Sequence, residues 1–404
     1  MLSRSSFFII NTSIINPYAI NGYSEVFLRK VIEMKKIYLL VAVATIVLAF
    51  TGCSGSDTVA VGGGTVDISV TYVAGIYFDG VSTSYAAVWK NGVRTNLTID
   101  YTATGIFVTD SNVYITGYYG GGSVRPFYWK DGTKTALSST YDGQTSGVVV
   151  DSGGVVYISG YMDISGYTPG YWKDGTWNAL ELNASPAAYT GRTSCIAVDS
   201  TYVYVGGYQT DDDTGYDVGT VWIYNKSTGV KVAALTFADP ANHEASYVKA
   251  VFVKSGIVYA AGTKSYHMGG AEDYYPTYWT CTYTSSWNTV ETLMMAVSAS
   301  DQVTSIVVDS SDNVIVGGRN ADQPTIWRSD NNSGNGGWDS PLKTTTDGSV
   351  NGLYLSGSDL YSGGFYNDAT TNSNAFSANG TTVTDLITTS TGDYGVGYAI
   401  FVKQ

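Results

Sequence analysis

The chain has 404 residues, with 34 Asp and Glu against 21 Lys and Arg, for a formal net charge of −13 with neutral His. A surface of that sign disfavours nucleic acid and anionic lipid as partners. With two His and three Cys there is no ligand set for a zinc or copper centre, and the signatures G-x-S-x-G, H-E-x-x-H and the Walker loop do not occur.

Residues 1–33 fit no targeting pattern and read as an over-extended N-terminus, Met34 being a better start than Met1, with an N-terminal anchor as the alternative. Met34-Lys35-Lys36 is a short cationic segment, and Ile37 to Phe50 is an apolar run of 14 residues. That is shorter than the roughly 20 residues a membrane span needs, and it suits a secretory signal at 34–52. Thr51-Gly52-Cys53 places a small residue just before a cysteine. In this the segment resembles a bacterial lipoprotein signal, although Phe50 stands where that family usually has Leu. The resemblance implies cleavage before Cys53, lipidation of its thiol, and an envelope location. Because Ser54 is not Asp, it further implies the outer membrane if the source has two membranes. An ordinary signal peptide, or an anchor helix that happens to end in Cys, is the alternative.

Residues 53–67, rich in Gly, Ser and Thr, read as the lipidated Cys and a flexible tether. From residue 68 to 404 one pattern recurs. A glycine ends a β-rich run at Gly75, Gly117, Gly160, Gly207, Gly262, Gly318 and Gly364, and an aromatic follows each at Trp89, Trp129, Trp172, Trp222, Trp279, Trp327 and Phe376. The glycines are spaced 42 to 56 residues apart, the period of a β-propeller with four strands per copy. The expected fold is therefore an all-β, seven-bladed propeller of four-stranded blades in a single domain. Asn91-Gly92, Asp131-Gly132, Asp174-Gly175 and Asn379-Gly380 suit type I′ hairpins into the outermost strands. The first blade lacks a first strand at its N-terminal side, and Ala399-Ile400-Phe401-Val402 repeats the first-strand pattern of Gly105-Ile106-Phe107-Val108. The last strand is expected to complete the first blade and close the ring. Cys195 and Cys281 fall in different blades, the first on a first strand and the second just after a third strand. Both read as small buried hydrophobes rather than a disulfide.

Val148-Val149-Val150-Asp151-Ser152 followed by Val156-Tyr157-Ile158-Ser159-Gly160-Tyr161, and again Ile306 to Gly318, resembles the β-propeller repeat of bacterial secreted proteins. The likeness covers 68–404, implies the fold, and carries no site residues with it.

Candidate sites lie in the loops of the face where second strands hand over to third strands and one blade to the next. Gln209 to Gly219 and Thr263 to Pro276 are enlarged, and Phe237 to Tyr247 follows between them. They bring Asp211, Asp212, Asp213, Tyr216, His243, His267, Glu272, Tyr274 and Tyr275 toward one rim of blades four and five. A binding patch for a glycan, peptide or cation is one reading of them, and tolerated insertion the other. Asp100, Asp142, Asp301, Asp347 and Asp393 recur at the mouth of the first strand. They read either as a ring of oxygen ligands for a hard cation such as Ca²⁺ or as local Asx-turns. Asp110, Asp151, Asp199 and Asp309, in turns on the opposite face, read as structural. Arg125, Arg192 and Arg319 occupy the upper face and could clamp a carboxylate; the Asp-boxes of sialidases are missing. The expectation is a monomeric, lipid-anchored, non-catalytic binding or scaffold module at the cell envelope with an unidentified protein or glycan ligand. The alternatives are a glycosidase-like carbohydrate-active enzyme using carboxylates at the channel mouth, and an envelope-assembly scaffold.

Overall fold

The computed structural model describes residues 58–61, 64–67, 69–80, 82–182, 190–211, 214–238, 244–268, 271–283, 287–293, 302–329, 342, 347–367, 373–387 and 393–403. Strands Thr58–Val61 and Gly64–Asp67 pair as an antiparallel hairpin, so the stretch expected to be a plain tether contains paired backbone. The remaining strands form seven antiparallel sheets arranged as the blades of a propeller. Their innermost strands, blades one to seven, are Tyr394–Lys403, Tyr101–Val108, Asp142–Val150, Gly191–Val198, Glu244–Lys254, Gln302–Val308 and Asp347–Ser356. Each touches the innermost strand of the blade on either side, which closes the circle.

Closure works as the repeat demands. Tyr394–Lys403 joins Val70–Phe78, Ser84–Lys90 and Val93–Ile99, so the C-terminal strand completes the first blade. Six blades have four strands, and in blade six the described strands are Gln302–Val308, Val314–Asn320 and Gln323–Arg328. Leu342 N nevertheless donates to Pro324 O at 2.9 Å, as Leu137 and Leu180 donate to Pro126 and Pro169 just after the outermost strands of blades two and three. The chain of blade six thus returns to the same register.

The core consists of seven clusters, one per gap between blades. Each repeat aromatic leans on the preceding blade: Trp222 meets Tyr157 and Tyr171 of blade three, Trp279 meets Tyr204 and Val221 of blade four, and Phe376 meets Val307 and Ile315 of blade six. Trp89 closes the set against Tyr361, Ala375 and Leu386 of blade seven, donating from Nε1 to Leu386 O at 3.1 Å. All seven aromatics are 0–1% exposed. Burying a ring of this size is worth roughly 3–5 kcal/mol on truncation, which is why one large aromatic per gap recurs while its neighbours vary.

The repeat glycine has a different cause. In every blade the innermost strand carries a β-bulge at one register, and the extra residues are Tyr398, Thr104, Ser146, Ser194, Lys249, Thr304 and Asn351. The repeat glycine stands opposite the residue just before each bulge. A Cβ there would overlap the carbonyl oxygen of Val396, Thr102, Gln144, Arg192, Tyr247, Gln302 or Ser349, depending on the blade. The bulge kinks the inner strand and drives that carbonyl onto its neighbour, so glycine is needed for close approach.

Three of the four expected hairpins are type I′, with positive φ at both central residues: Asn91 and Gly92 (48°, 79°), Asp131 and Gly132 (51°, 80°), Asp174 and Gly175 (47°, 82°). In blade seven Asn379 pairs with Thr382, so the two-residue loop is Gly380-Thr381 and Asn379 stays in the strand. Cys281 lies within the third strand Ala271–Tyr283 rather than after it. It packs in the same interblade cluster as Cys195.

Candidate functional site

On the upper face, where innermost strands begin and second strands end, the expected enlarged loop of blade five proves to be largely paired backbone. Ile257–Met268 and Ala271–Tyr283 run on as one long hairpin with Lys264 opposite Tyr275, Ser265 opposite Tyr274, and His267 opposite Glu272. The segment expected as a loop is therefore a ribbon extending blade five, because its β-branched and aromatic residues keep pairing past the usual blade length. The side chains of His267, Glu272 and Tyr274, and all of Asp212, Asp213 and His243, lie outside the described residues. Tyr275 is half-buried. In blade four, Asp211 caps a tight turn: its Oδ1 accepts from Thr214 N at 3.0 Å and from Thr214 Oγ1 at 2.7 Å, and its N–H donates to Tyr216 O at 2.8 Å. Asp211 thus serves the turn, with Tyr216 half-buried beside it.

Three of the recurring mouth aspartates are engaged, each by different neighbours. Asp142 pairs with Arg125 at 3.3 Å, and Asp347 with Arg319 at 2.7 Å while also accepting from Asn367. Asp393 accepts from the Tyr77 hydroxyl at 2.8 Å, and Asp100 adopts φ 60° in the link between blades one and two. Asp301 lies outside the described residues. Among the described residues no group of three or more His, Cys, Asp or Glu is placed to hold a metal ion. Asx-turns do occur on the opposite face: Asp151, Asp199 and Asp309 each accept two backbone N–H groups. Thr109 substitutes for them in blade two. That face also carries a cavity of about 560 Å³ between Asp110, Asp151, Tyr354 and Lys403. Lys226 pairs with Asp151 there at 2.7 Å, and Lys403 donates to the backbone carbonyl of Asp110 at 2.9 Å.

Two pairs of carboxylates share a cation: Asp322 and Asp347 on Arg319, and a pair in blade five. Lys264, 8% exposed, holds Glu244 at 3.1 Å and Glu291 at 3.0 Å, and Trp279 Nε1 donates to the same Glu291 oxygen at 3.1 Å. Glu291 is on the outermost strand Trp287–Leu293 and Glu244 begins the innermost one, so this triad is a clasp across blade five.

A different group converges at the mouth. Of the three upper-face arginines, Arg125 and Arg319 are spanned by aspartates, whereas Arg192 lies on aromatic rings. Its guanidinium is 4.1 Å from the Tyr167 centroid and 5.0 Å from that of Tyr161, and the two rings meet edge-on at 5.1 Å. Tyr208, opposite Arg192 in the ladder, meets Tyr247 of blade five edge-on at 5.2 Å, and Lys249 Nζ lies 5.7 Å from the Tyr247 centroid. The result is a stripe of tyrosines and cations crossing blades three, four and five. Burial pushes the Tyr161 and Tyr208 phenols above their ordinary value, the nearby Arg192 opposing this in part, so both stay protonated donors at neutral pH. Tyr118, Tyr161 and Tyr208 each follow a repeat glycine, a regularity visible in the residues themselves. Lys249 gives no such signal, since only the bulge sets it apart.

The architecture, a seven-bladed β-propeller closed by its C-terminal strand, thus rests on the strands themselves. No protein-family model matches the chain, and no curated protein matches it. Among solved structures it is similar to a puromycin-hydrolysing peptidase of Mycobacterium tuberculosis, at 11% identity and TM-score 0.47 over 79% of this chain and 52% of that one. It therefore spans about half of that peptidase's length. An ulvan lyase bound to a glucuronate- and sulfated-rhamnose-containing ligand follows at 9% identity and TM-score 0.46, over 74% of this chain and 81% of that one. These are similarities of chain path between distant proteins, and their activities belong to them.

Proposed function

We propose that this protein is an exported, lipid-anchored, non-catalytic binding module that receives its ligand on the upper mouth of the propeller, across blades three to five. The observation that carries this reading is the stripe Tyr167, Tyr161, Arg192, Tyr208, Tyr247, Lys249, which gathers stacking faces, hydroxyl donors and two cations in one place. Polar ligand sites are commonly built from such groups on a rigid scaffold. The rim expected from Tyr216 and Tyr275 lies on the same two blades. A binding role is favoured over glycosidase chemistry because the carboxylates that share a cation among the described residues are committed to it, Glu244 and Glu291 to Lys264 and Asp322 and Asp347 to Arg319.

Anchoring is proposed at Cys53. A Cys53→Ser variant should lose membrane association and the mass of the lipid, and one that stays equally membrane-bound would refute it. For binding, the full chain in detergent is applied to glycan and peptide arrays beside a Tyr161→Ala/Tyr208→Ala variant and a Tyr274→Ala/Tyr275→Ala variant. The first variant should lose the array signal. If the signal survives it and disappears only in the second, the site is the blade-five ribbon. If the parent gives no signal at all, the binding reading is wrong.

A further inference from the structure

Four of the seven bulge residues tie neighbouring blades together around the axis. Thr104 hydrogen-bonds Thr145 at 3.2 Å, Ser146 bonds Thr193 at 3.1 Å, Thr304 donates to Val350 O, and Asn351 donates to Gly397 O at 2.8 Å. In each case the bulge of one blade grips the innermost strand of the next. Short polar side chains suit this, because neighbouring innermost strands approach closely there.

Ser194, Tyr398 and Lys249 make no such bond to a described residue, and of these three Lys249 alone carries a charge. It occupies the same register in blade five, but its ammonium makes no hydrogen bond to a described residue. It is exposed although Val248 (0%) and Ala250 (9%) on either side are buried. On an innermost strand enclosed by other blades, such exposure means that the side chain opens onto the axial channel. Arg192, on the adjacent innermost strand, also lacks a carboxylate partner among the described residues, and its Nε is buried without a hydrogen-bond acceptor. The two cations are close enough to act on each other. Although the Lys249 side chain reaches the channel, its enclosure by the surrounding blades, and Arg192 in addition, lower its ammonium from the ordinary value while Cys195 opposes this, and burial pushes the Cys195 thiol up to about 12. The nearby thiol is therefore neutral and does not serve as the missing counter-charge.

Two cations beside each other without a carboxylate partner among the described residues, inside a protein with a net charge of −13, are a costly arrangement, and the register itself does not require a cation, since blades two and six hold threonine there. We infer that Lys249 and Arg192 form an oxyanion site at the inner end of the tyrosine stripe, which takes a carboxylate or sulfate group of the ligand. Arg192 offers planar N–H donors and Lys249 a mobile point charge, while the surrounding tyrosines Tyr161, Tyr208 and Tyr247 supply contact surface for whatever carries the anion. The inference rests on the binding reading above and specifies its ligand.

The test is calorimetric titration of the detergent-solubilised full chain with D-glucuronate, D-glucose 6-sulfate and neutral D-glucose, for the parent and for Lys249→Thr. The substitution copies the residue of blades two and six and should leave the thermal midpoint unchanged or raised. The parent is expected to bind at least one of the two anions and to bind D-glucose at least tenfold more weakly. Preference between the anions tells carboxylate from sulfate. Lys249→Thr should weaken anion binding more than tenfold. Anion binding unaltered in Lys249→Thr, D-glucose binding as tight as either anion, or no binding of either anion would each overturn the inference. An array signal that persists in those cases would leave the binding reading standing with a neutral or cationic ligand.

Discussion

Replacing Gly75 by Ala tests why glycine recurs in every blade. Gly75 pairs with Gly397 immediately before the bulge at Tyr398, in the strand that closes the ring. The new methyl would overlap the Val396 carbonyl oxygen and come within 2.9 Å of its carbon and 3.0 Å of Gly397 Cα. All three are backbone atoms, so no side chain can rotate away. Ordinary contact begins at about 3.5 Å, and the second strand must back off from the closing strand. Overpacking strain of about 1–3 kcal/mol, with two ladder hydrogen bonds weakened at about 1 kcal/mol each, gives a loss of roughly 3–5 kcal/mol. Gly120→Ala is the matched control: the nearest atom to a Cβ there is Asp100 O at 3.7 Å, and its φ is not in the left-handed region. That variant should be neutral or gain up to about 1 kcal/mol. Urea denaturation followed by tryptophan fluorescence measures both. Equal midpoints for the two variants would show that the glycine is not there to accommodate the bulge.

Two further outcomes follow from charges. Lys264→Met leaves Glu244 and Glu291 facing each other with their shared cation gone, which should cost about 3–5 kcal/mol. Adding Glu244→Gln and Glu291→Gln should recover most of it, and a Lys264→Met variant within about 1 kcal/mol of the parent would show that the clasp is dispensable. The Asp151 carboxyl would be raised by burial alone, but Lys226 at 2.7 Å and the N–H groups of Val155 and Gly153 hold it below its ordinary value. Its contribution is therefore present above about pH 3.9 and lost as pH falls through the folded value. Asp151→Asn should be less stable than the parent at pH 7 by roughly 1.5–3 kcal/mol. Thermal melts from pH 7 down to pH 3 should show that gap closing, and a gap that stays constant would refute the assignment.

Blade number, the gap-filling aromatic, the type I′ hairpins and closure by the last strand were all legible from residue order. Each is a local device repeated at a fixed interval: a glycine where backbones meet, a tryptophan where blades diverge, an Asn-Gly or Asp-Gly where a strand must reverse in two residues. Where such a signal had two registers available, local order was not enough. Asn379-Gly380 reads like the other turns, yet pairing of Asn379 with Thr382 shifts the loop by one residue. The run from Thr263 to Pro276 reads as a loop by its polar and glycine content, but cross-strand pairing carries it on as a hairpin. The site shows the limit most clearly. Arg192 could be singled out by residue type, and Tyr161 and Tyr208 stand beside repeat glycines. Lys249 is one more lysine in a strand until a bulge turns it onto the axis. What brings it to Arg192, 57 positions earlier in the chain, is the closing of seven blades into a ring, which places neighbouring innermost strands side by side. Residue order thus determined the blade, and only the ring decided which side chains share the channel.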